Sequence, residues 1–174
     1  MVAENQTNQR STINMKHFPL LAILLSIILS CNYAETNSKK EADQISKTLF
    51  PKGEKITNNN FVGNAWLQQM IRSDSINPTQ VGNVTFEAGA RTNWHLHPGG
   101  QILLITEGTG YYQEKGSPKK IINKGDVVKC PPNVPHWHGA SKEHELIQIA
   151  ITNTQKGVTV WLHPVTEEEY NAVN

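Results

Sequence analysis

The sequence predicts an all-β domain of the sandwich or jelly-roll type that ends in one short α-helix. From Phe61 onward, the 174-residue chain consists of short apolar or alternating runs separated by turn residues. Many short strands at this spacing, with little helix between them, are typical of these architectures. About 115 residues are enough for one domain with a real core. We therefore assign residues 61–174 to a single folded domain.

The strands are predicted from runs of β-branched, aromatic and alternating residues. They are Val81–Phe86, Ile102–Thr106, Tyr111–Glu114, Lys120–Ile122, Val127–Cys130, Leu146–Thr152 and Val158–Leu162. Turns are predicted at 108–110, 116–118 and 123–126, where Gly, Pro, Asn and Asp concentrate. The helix is predicted to begin at Thr166, because Thr166 and Glu169 have the spacing of a capping box.

Two segments of this region carry histidines at regular offsets. Between residues 89 and 108 the pattern is G-x5-H-x-H-x3-Q-x6-G, with His95, His97 and Gln101 at its polar positions. Residues i and i+2 of a strand point to the same face, so His95 and His97 present both imidazoles to one point. The Pro-Gly-Gly sequence at 98–100 interrupts the strand, and the resulting turn lets Gln101 direct its amide oxygen toward the same centre.

The second segment, residues 125–136, has the pattern G-x5-P-x-N-x2-H and ends at His136. This histidine would arrive from a distant strand and complete a set of three imidazoles and one amide oxygen. Such a set suits one divalent transition metal: Mn, Fe, Ni, Co, Cu or Zn. Four protein ligands leave coordination positions open for water or substrate. A single histidine could be an ordinary core residue, but three with a glutamine at these offsets predict a metal site.

These segments resemble the small single-domain cupins over residues 61–170. The stretches that carry the resemblance are 84–92, 94–98, 125–128 and 135–140. The resemblance implies a double-stranded β-helix, the jelly-roll cupin barrel, with a divalent metal, manganese foremost, held by the four residues of the two patterns. Among cupins the chain is similar to the bacterial manganese-dependent hydroxynitrile lyases, which implies lyase chemistry.

Three positions depart from those patterns. Gln101 stands where many cupins carry Glu, which removes a negative charge and leaves the metal site more cationic. Asn133 stands where the second pattern usually has Gly, and Asn is the non-glycine residue that best tolerates positive φ. Gln148 falls where the lyases place a further active-site histidine. The resemblance is therefore more specific for fold and metal than for reaction.

Three further residues are candidates for a role beside the metal. His138 shares a strand face with His136, so we expect it in the same cavity as a proton carrier, a fifth ligand or a hydrogen-bonded support. Arg91 and Asn93 have the parity of His95 in a regular strand, so either could orient a polar or anionic substrate. Arg91 could instead seal the end of the barrel.

The predicted function is a metal-dependent enzyme that acts on a small organic substrate. As a lyase, it would use the metal as a Lewis acid while His138 moves a proton. As a dioxygenase, it would bind substrate and oxygen at a redox-active metal. As a binding protein, it would hold a small ligand or a metal without turnover. No nucleic-acid partner is expected, because 16 Lys and Arg nearly balance 15 Asp and Glu.

Apolar residues that face away from the proposed ligands predict a second covering layer. The run 102–105 is apolar on both faces, and Trp94, Leu96 and Trp137 have the parity opposite to the ligand histidines. A barrel wall that is apolar outside as well as inside needs cover. A homodimer is the predicted cover, and the segment 60–77 is the alternative.

The first 60 residues predict export and membrane attachment. Residues 1–30 end in an apolar run too short to span a bilayer, which indicates a secretory signal peptide for which Met15 is the better start. Cys31 follows directly, as in the lipobox of bacterial lipoproteins, so residues 31–60 are predicted to be a lipidated cysteine and a polar tether. The protein would then lie outside the cytoplasm, on a periplasmic or outer-membrane face. An ordinary signal peptide or a weak membrane anchor is the alternative.

Replacing Cys31 by Ser is expected to release the protein from the membrane fraction, because serine lacks the thiol that carries the lipid. Fractionation of cells that express the full chain, with immunoblotting against the barrel, measures this. C31S protein that still sediments with the membranes would contradict lipidation and indicate attachment through the apolar run itself.

Overall fold

The computed structural model describes residues 48–172, which form a curled antiparallel sheet and a short helix. The predicted signal peptide, the predicted lipidation site Cys31 and most of the predicted tether lie outside the described residues. Within residues 48–172, no helix has the length and apolarity needed to cross a membrane.

The described residues contain twelve strands and one helix, which confirms the prediction of an all-β fold with a short C-terminal helix. They are β1 (Glu54–Lys55), β2 (Phe61–Val62), β3 (Ala65–Ile71), β4 (Thr79–Phe86), β5 (Arg91–Thr92), β6 (His95–Leu96), β7 (Gln101–Glu114), β8 (Lys120–Asn123), β9 (Val127–Cys130), β10 (His136–Ala140), β11 (Leu146–Asn153), β12 (Val160–Trp161) and α1 (Glu167–Asn171). Neighbouring strands follow the order β1-β3-β4-β11-β7-β10-β5-β2, with β8 and β9 beside β7, β6 beside β10, and β12 beside β6.

Strand β7 belongs to both halves of the curled sheet. Its first part pairs with β9 and β11, and its second part pairs with β8 and β10. Near the end of the first part, the register with β11 shifts between Ile105 and Glu107, and Gly108 has a φ of 79°. A Cβ at Gly108 would lie 1.8 Å from the carbonyl oxygen of Glu145. The turn predicted at 108–110 is therefore wrong, because β7 runs from Gln101 to Glu114 through a bulge at Thr106 and a glycine at 108 without ending.

The core fills the space between the two halves. Phe86, Leu103, Tyr112 and Leu146 are almost completely buried within it. Cys130 belongs to the same cluster, and its burial raises the pKa of its thiol to about 12. An uncharged, enclosed thiol is a small packing residue rather than a nucleophile.

Helix α1 covers the outer side of the strands that carry the histidines. Trp94 and Trp137 are buried in a second cluster with Val165 and Tyr170. The Tyr170 hydroxyl donates to the carbonyl oxygen of Ala140 at 2.8 Å. The two tryptophans thus receive their cover from the C-terminal segment of the same chain, and neither the segment 60–77 nor a partner is needed for it.

Both features of the helix start that the sequence predicted are present. The Thr166 hydroxyl accepts from the Glu169 backbone N–H, and the Glu169 carboxylate accepts from the Thr166 N–H. Away from the helix, Ile102 remains 43% exposed and Val127 67% exposed on the outer face of the sheet. The homodimer stays a prediction.

The sheet begins upstream of Phe61, within the segment whose polar composition predicted a tether. Strand β1 pairs with β3, and Ile56 packs against the core. The carbonyl oxygen of Pro51 accepts from Asn83 Nδ2 at 3.1 Å, and Lys52 Nζ lies 3.5 Å from the centre of the Trp66 ring. A two-residue polar strand carries no periodicity that a sequence pattern could reveal.

Replacing Tyr170 by Phe is expected to lower the free energy of unfolding by about 1 kcal/mol, because the bond to the buried Ala140 carbonyl is lost. Tyr170→Ala is expected to cost about 3–5 kcal/mol, because it opens a cavity beside Trp137. Urea denaturation of the full chain measures both values. A Y170A protein as stable as wild type would contradict the docking of α1.

Candidate metal centre

Strands β6, β10 and β7 bring the four predicted ligands to one place. His136 lies opposite His95 in the register of β10 and β6, and Gln101 begins β7 after the turn that follows His97. The ring centroid of His95 lies 5.0 Å from that of His97 and 4.4 Å from that of His136. The rings of His97 and His136 are 5.4 Å apart. Side chains that are distant in sequence therefore converge on a single point.

Backbone carbonyls determine the tautomer of two of these histidines. Nδ1 of His95 lies 2.9 Å from the carbonyl oxygen of Asn93, and Nδ1 of His136 lies 2.9 Å from that of Val134. A carbonyl oxygen only accepts, so each neutral ring carries its proton on Nδ1 and keeps the lone pair on Nε2. This is the tautomer that binds a metal through Nε2.

Two threonines, one near the end of β11 and one after it, contact the other two ligands. Nδ1 of His97 lies 3.1 Å from the Thr159 hydroxyl, and Nε2 of Gln101 donates to the Thr152 hydroxyl at 3.0 Å. These contacts use His97 Nδ1 and Gln101 Nε2, so His97 Nε2 and Gln101 Oε1 remain available for another partner.

Three polar atoms of this site lack a partner that a metal ion would supply. His97 Nε2, His136 Nε2 and Gln101 Oε1 are all buried and have no hydrogen-bond partner. Leaving a buried polar atom unpaired costs about 1–3 kcal/mol, and these three belong to side chains that converge on one place. One divalent ion would satisfy all three, and three nitrogens with one amide oxygen are ligands that transition metals accept.

Burial also keeps the imidazoles uncharged. It lowers the pKa of His97 to about 4, with further lowering by the nearby His136. The pKa of His95 falls well below its usual value through burial and then through its neighbours His138, His136 and His97, and burial likewise lowers the pKa of His136. At neutral pH these rings are neutral, which is the form that coordinates metals.

His138 lies in the same cavity, close to the ligand histidines. Its ring centroid is 5.2 Å from that of His95 and 6.2 Å from that of His136. The nearest ligand atoms of the three residues lie within 4.8 Å of one another, so geometry also permits His138 as a ligand. His95 and His136 belong to either set, whereas His138 would join or replace His97 and Gln101.

The neighbour of His138 controls which of its nitrogens carries the proton. Nδ1 of His138 lies 3.0 Å from Nε2 of Gln148, which is fully buried. With the amide NH2 toward the ring, Nδ1 accepts and Nε2 holds the proton. With the amide oxygen toward the ring, Nδ1 holds the proton and Nε2 is free to accept one.

Arg91 does not face the same side as His95, as its parity predicted, because the strand is not regular. Arg91 lies opposite Gly139, and His95 lies opposite His136, so four residue steps on one side match three on the other. The extra residue reverses which side chains face inward. Thr92, rather than Arg91, lines the cavity.

Arg91 and Asn93 are both engaged away from the cavity. The Arg91 guanidinium donates to the Glu167 carboxylate at 2.6 Å and to the Val165 carbonyl oxygen at 3.1 Å. Asn93 Nδ2 donates to the carbonyl oxygen of Asn59 at 2.9 Å. Neither Arg91 nor Asn93 lines the cavity, where a substrate contact was predicted for each. Arg91 instead ties the C-terminal segment to the barrel.

The turn before His136 adopts the conformation that the sequence predicted. Asn133 has a φ of 60° and is the only non-glycine residue with positive φ within residues 48–172. Its backbone N–H donates to the carbonyl oxygen of His97 at 3.0 Å. The two histidine segments are thus joined directly beside the site.

Three of the four candidate ligands, His95, His97 and Gln101, line a cavity of about 210 Å³ together with His138. The rest of the lining is more apolar than polar. Cavity-lining residues that the sequence did not single out include Ile56, Phe61, Leu67, Val84, Phe86, Ala150, Thr152, Thr159 and Trp161.

Aromatic residues form the part of the cavity nearest to His95. The Trp161 ring centroid lies 4.9 Å from that of His95 and 5.6 Å from that of Phe61. Phe61 in turn lies 5.9 Å from Phe86. These residues come from β2, β4 and β12, and no spacing in the sequence relates them, so only the fold reveals that they meet.

Known proteins are similar to this chain in sequence and fold. Residues 82–151 match the family model of the cupin domain. Over 112 residues the chain is 40% identical to the (R)-mandelonitrile lyase of Granulicella tundricola, an alignment that covers 60% of this chain and 86% of that relative.

Two solved structures extend the likeness. A cupin-like protein from Thermotoga maritima is similar with 50% identity and a TM-score of 0.68, over 71% of this chain and 95% of its own. A cupin 2 conserved barrel domain protein from Rhodopseudomonas palustris has 16% identity and a TM-score of 0.54, over 67% of this chain and 78% of its own, and is similar in fold alone.

Replacing His95 by Ala is expected to abolish stoichiometric metal binding, because His95 belongs to every ligand set that the geometry permits. Replacing the exposed His144 by Ala is the matched control and should leave the metal content unchanged. Elemental analysis of the full chain, purified without a histidine tag, measures both. An H95A protein that keeps one equivalent of metal would contradict the site.

Proposed function

The chain belongs to the cupin family, and we propose that it is a metal-dependent lyase that cleaves a small α-hydroxynitrile. The observation that carries the proposal is the group of buried, unpartnered ligand atoms of His97, Gln101 and His136 beside a small cavity that also contains His138. The 40% identity to a relative named (R)-mandelonitrile lyase supports the choice of reaction.

His95, His97, Gln101 and His136 would hold the ion, with manganese foremost and Fe, Ni, Co, Cu or Zn as alternatives. Bound there, a divalent ion supplies a Lewis acid for the hydroxyl or carbonyl oxygen of the substrate. Gln101 adds no charge to the site, unlike the Glu of many cupins. A developing negative charge on the substrate oxygen is therefore not opposed by a carboxylate at this position.

The reaction needs a proton carrier. Cleavage of a hydroxynitrile breaks the O–H and C–CN bonds; the O–H electron pair forms the carbonyl bond, and cyanide leaves with the C–C pair. In the structure Nε2 of Gln148 faces Nδ1 of His138. When the Gln148 amide instead presents its oxygen, Nδ1 of His138 holds the ring proton, and Nε2 can accept the hydroxyl proton and return it to cyanide as HCN. Burial holds the pKa of His138 well below its usual value, so the ring begins uncharged, as a base requires.

The cavity sets the class of substrate. An apolar surface for the carbon skeleton of the substrate is offered by Leu67, Val84, Phe86 and Trp161. The ligand side chains and His138 would face the polar end of the substrate. A cavity of about 210 Å³ admits a small molecule with one aryl or alkyl group. A compact α-hydroxynitrile has this division between a polar carbon centre and an apolar substituent.

Two broader expectations accompany this proposal. We propose that the enzyme acts outside the cytoplasm, held to a membrane through lipidated Cys31, as the N-terminal sequence predicts. The homodimer stays a prediction of the sequence.

The assay that tests the function is cyanide release from mandelonitrile by the metal-loaded full chain, measured with and without oxygen. We expect release that depends on the metal and is independent of oxygen. Oxygen uptake on diol substrates without cyanide release would favour the dioxygenase alternative. Stoichiometric metal without turnover in either assay would favour a binding protein.

Replacing His138 by Ala is expected to preserve the metal and to lower kcat about 10²- to 10⁴-fold, the range typical of lost general acid–base catalysis. Elemental analysis and steady-state kinetics on the same preparation separate the two effects. Loss of the metal would identify His138 as a ligand, and an unchanged kcat would remove it from the mechanism.

A further inference from the structure

We infer that Asn93 latches residues 56–61, which we call the strap, against the metal cavity, and that the strap limits the size of the substrate. This role rests on the proposed function and deepens it, because it identifies what bounds the organic group of the hydroxynitrile. The strap lies outside residues 82–151, which match the model of the cupin domain. Substrate size is thus controlled by a part of the chain that the shared family pattern does not include.

The strap supplies part of the cavity lining. Ile56, Asn58, Asn60 and Phe61 all line the cavity beside the candidate ligands. Ile56 and Phe61 also pack against the buried core. At the start of the strap, the Ile56 N–H donates to the carbonyl oxygen of Ala65 at 2.8 Å. The strap is therefore a wall of the site and is held in place at its first residue.

Phe61, the last residue of the strap, connects aromatic residues from the two halves of the sheet. Its ring centroid lies 5.9 Å from that of Phe86 on β4 and 5.6 Å from that of Trp161 on β12. The Trp161 ring lies 4.9 Å from that of the ligand His95. An organic group bound beside the metal therefore has the Phe61 ring as one boundary of its space.

Asn93 holds the strap immediately before Phe61. The backbone N–H of Asn93 donates to the carbonyl oxygen of Asn60 at 2.8 Å, and its Nδ2 donates to that of Asn59 at 2.9 Å. A carbonyl oxygen only accepts, so the direction of both bonds is fixed, and with it the orientation of the side-chain amide. Asn93 is 4% exposed, so this contact is enclosed.

The same asparagine also contacts a candidate metal ligand. Its carbonyl oxygen accepts from Nδ1 of His95 at 2.9 Å. Phe61 lies opposite Thr92, the chain neighbour of Asn93, in the register of β2 and β5. Asn93 therefore connects the ring that bounds the cavity with a side chain that would hold the metal. A displacement of the strap would change the space beside the metal.

The first test compares kcat/KM for cyanide release from mandelonitrile and from the bulkier cyanohydrin of 2-naphthaldehyde, with the metal-loaded full chain. Phe61→Ala removes the ring, and we expect the naphthyl-to-phenyl ratio to rise about tenfold or more, the scale on which pocket contacts discriminate. Asn93→Leu removes the side-chain donor at similar size. We expect it to raise the ratio about twofold to tenfold, the effect of one net hydrogen bond, with unchanged metal content.

This ratio distinguishes positioning from a purely structural role. A loss of stability alone would lower the rates for both compounds together and leave their ratio at the wild-type value. An unchanged ratio in N93L would therefore overturn the specificity role of the latch.

Hydrogen–deuterium exchange measures the latch without any substrate. In N93L we expect the amides of residues 56–61 to exchange about twofold to tenfold faster, because opening no longer breaks the bond to Asn59. Asn59→Ala keeps the carbonyl that accepts this bond and should exchange as wild type does. Asn64→Leu removes a nearby asparagine contact, Asn64 Nδ2 to the Glu87 carboxylate at 2.9 Å, and should change neither the exchange nor the ratio. Equal exchange in N93L and wild type would overturn the latch.

The two measurements separate the strap from the proposed function. Wild-type protein that releases cyanide from neither compound overturns the proposed function and the specificity role together, and faster exchange in N93L then supports the latch by itself. Wild-type lyase activity with the same ratio in wild type, F61A and N93L overturns only the specificity role.

Discussion

The antiparallel pairing of β6 with β10, which sets His95 opposite His136, is the contact on which the rest of the site depends. It brings together two segments about forty residues apart and fixes the distance between their imidazoles. The remaining ligands follow from it, because His97 continues from β6 and Gln101 begins the next strand. The irregular step between Arg91 and His95 is part of the same constraint, since it lets β5 and β6 both pair with β10.

Burial gives this pairing its chemical consequence. Enclosed imidazoles lose the solvation that stabilises their charged form, so they stay neutral and offer lone pairs. Their Nδ1 atoms are occupied by the carbonyls of Asn93 and Val134, which directs those lone pairs inward. The fold thus leaves a few polar atoms unsatisfied in one small volume. That local cost is the reason to infer a bound cation there.

The features of this arrangement that are encoded locally could be predicted from the sequence. The spacings around His95 and His136 predict the ligand set, and the predicted capping box at Thr166 and the positive φ of Asn133 are both confirmed. The prediction of a turn at 108–110 is wrong, because a glycine with positive φ inside a long strand has the same composition as a turn.

Other features depend on register and could not be inferred from spacing. The inward direction of Thr92 in place of Arg91 follows from one unpaired residue that no pattern marks. The contact of Thr152 with Gln101, 51 residues apart, exists only because β11 pairs with β7. The cover of Trp94 by Tyr170 and Val165 likewise comes from the last part of the chain, whose apolar residues are too few to indicate where they dock.

That last contact ties the metal centre to an element that supplies no ligand. Trp94 and Trp137 are each the immediate chain neighbour of a ligand histidine, and β12 pairs with β6. Residues 160–170 therefore complete the backs of both ligand strands. Because the two tryptophans pack against Val165 and Tyr170, a loss of this packing would loosen the strands that carry His95 and His136 from their outer side. The rigidity of the ligand positions thus depends partly on a helix that does not line the cavity.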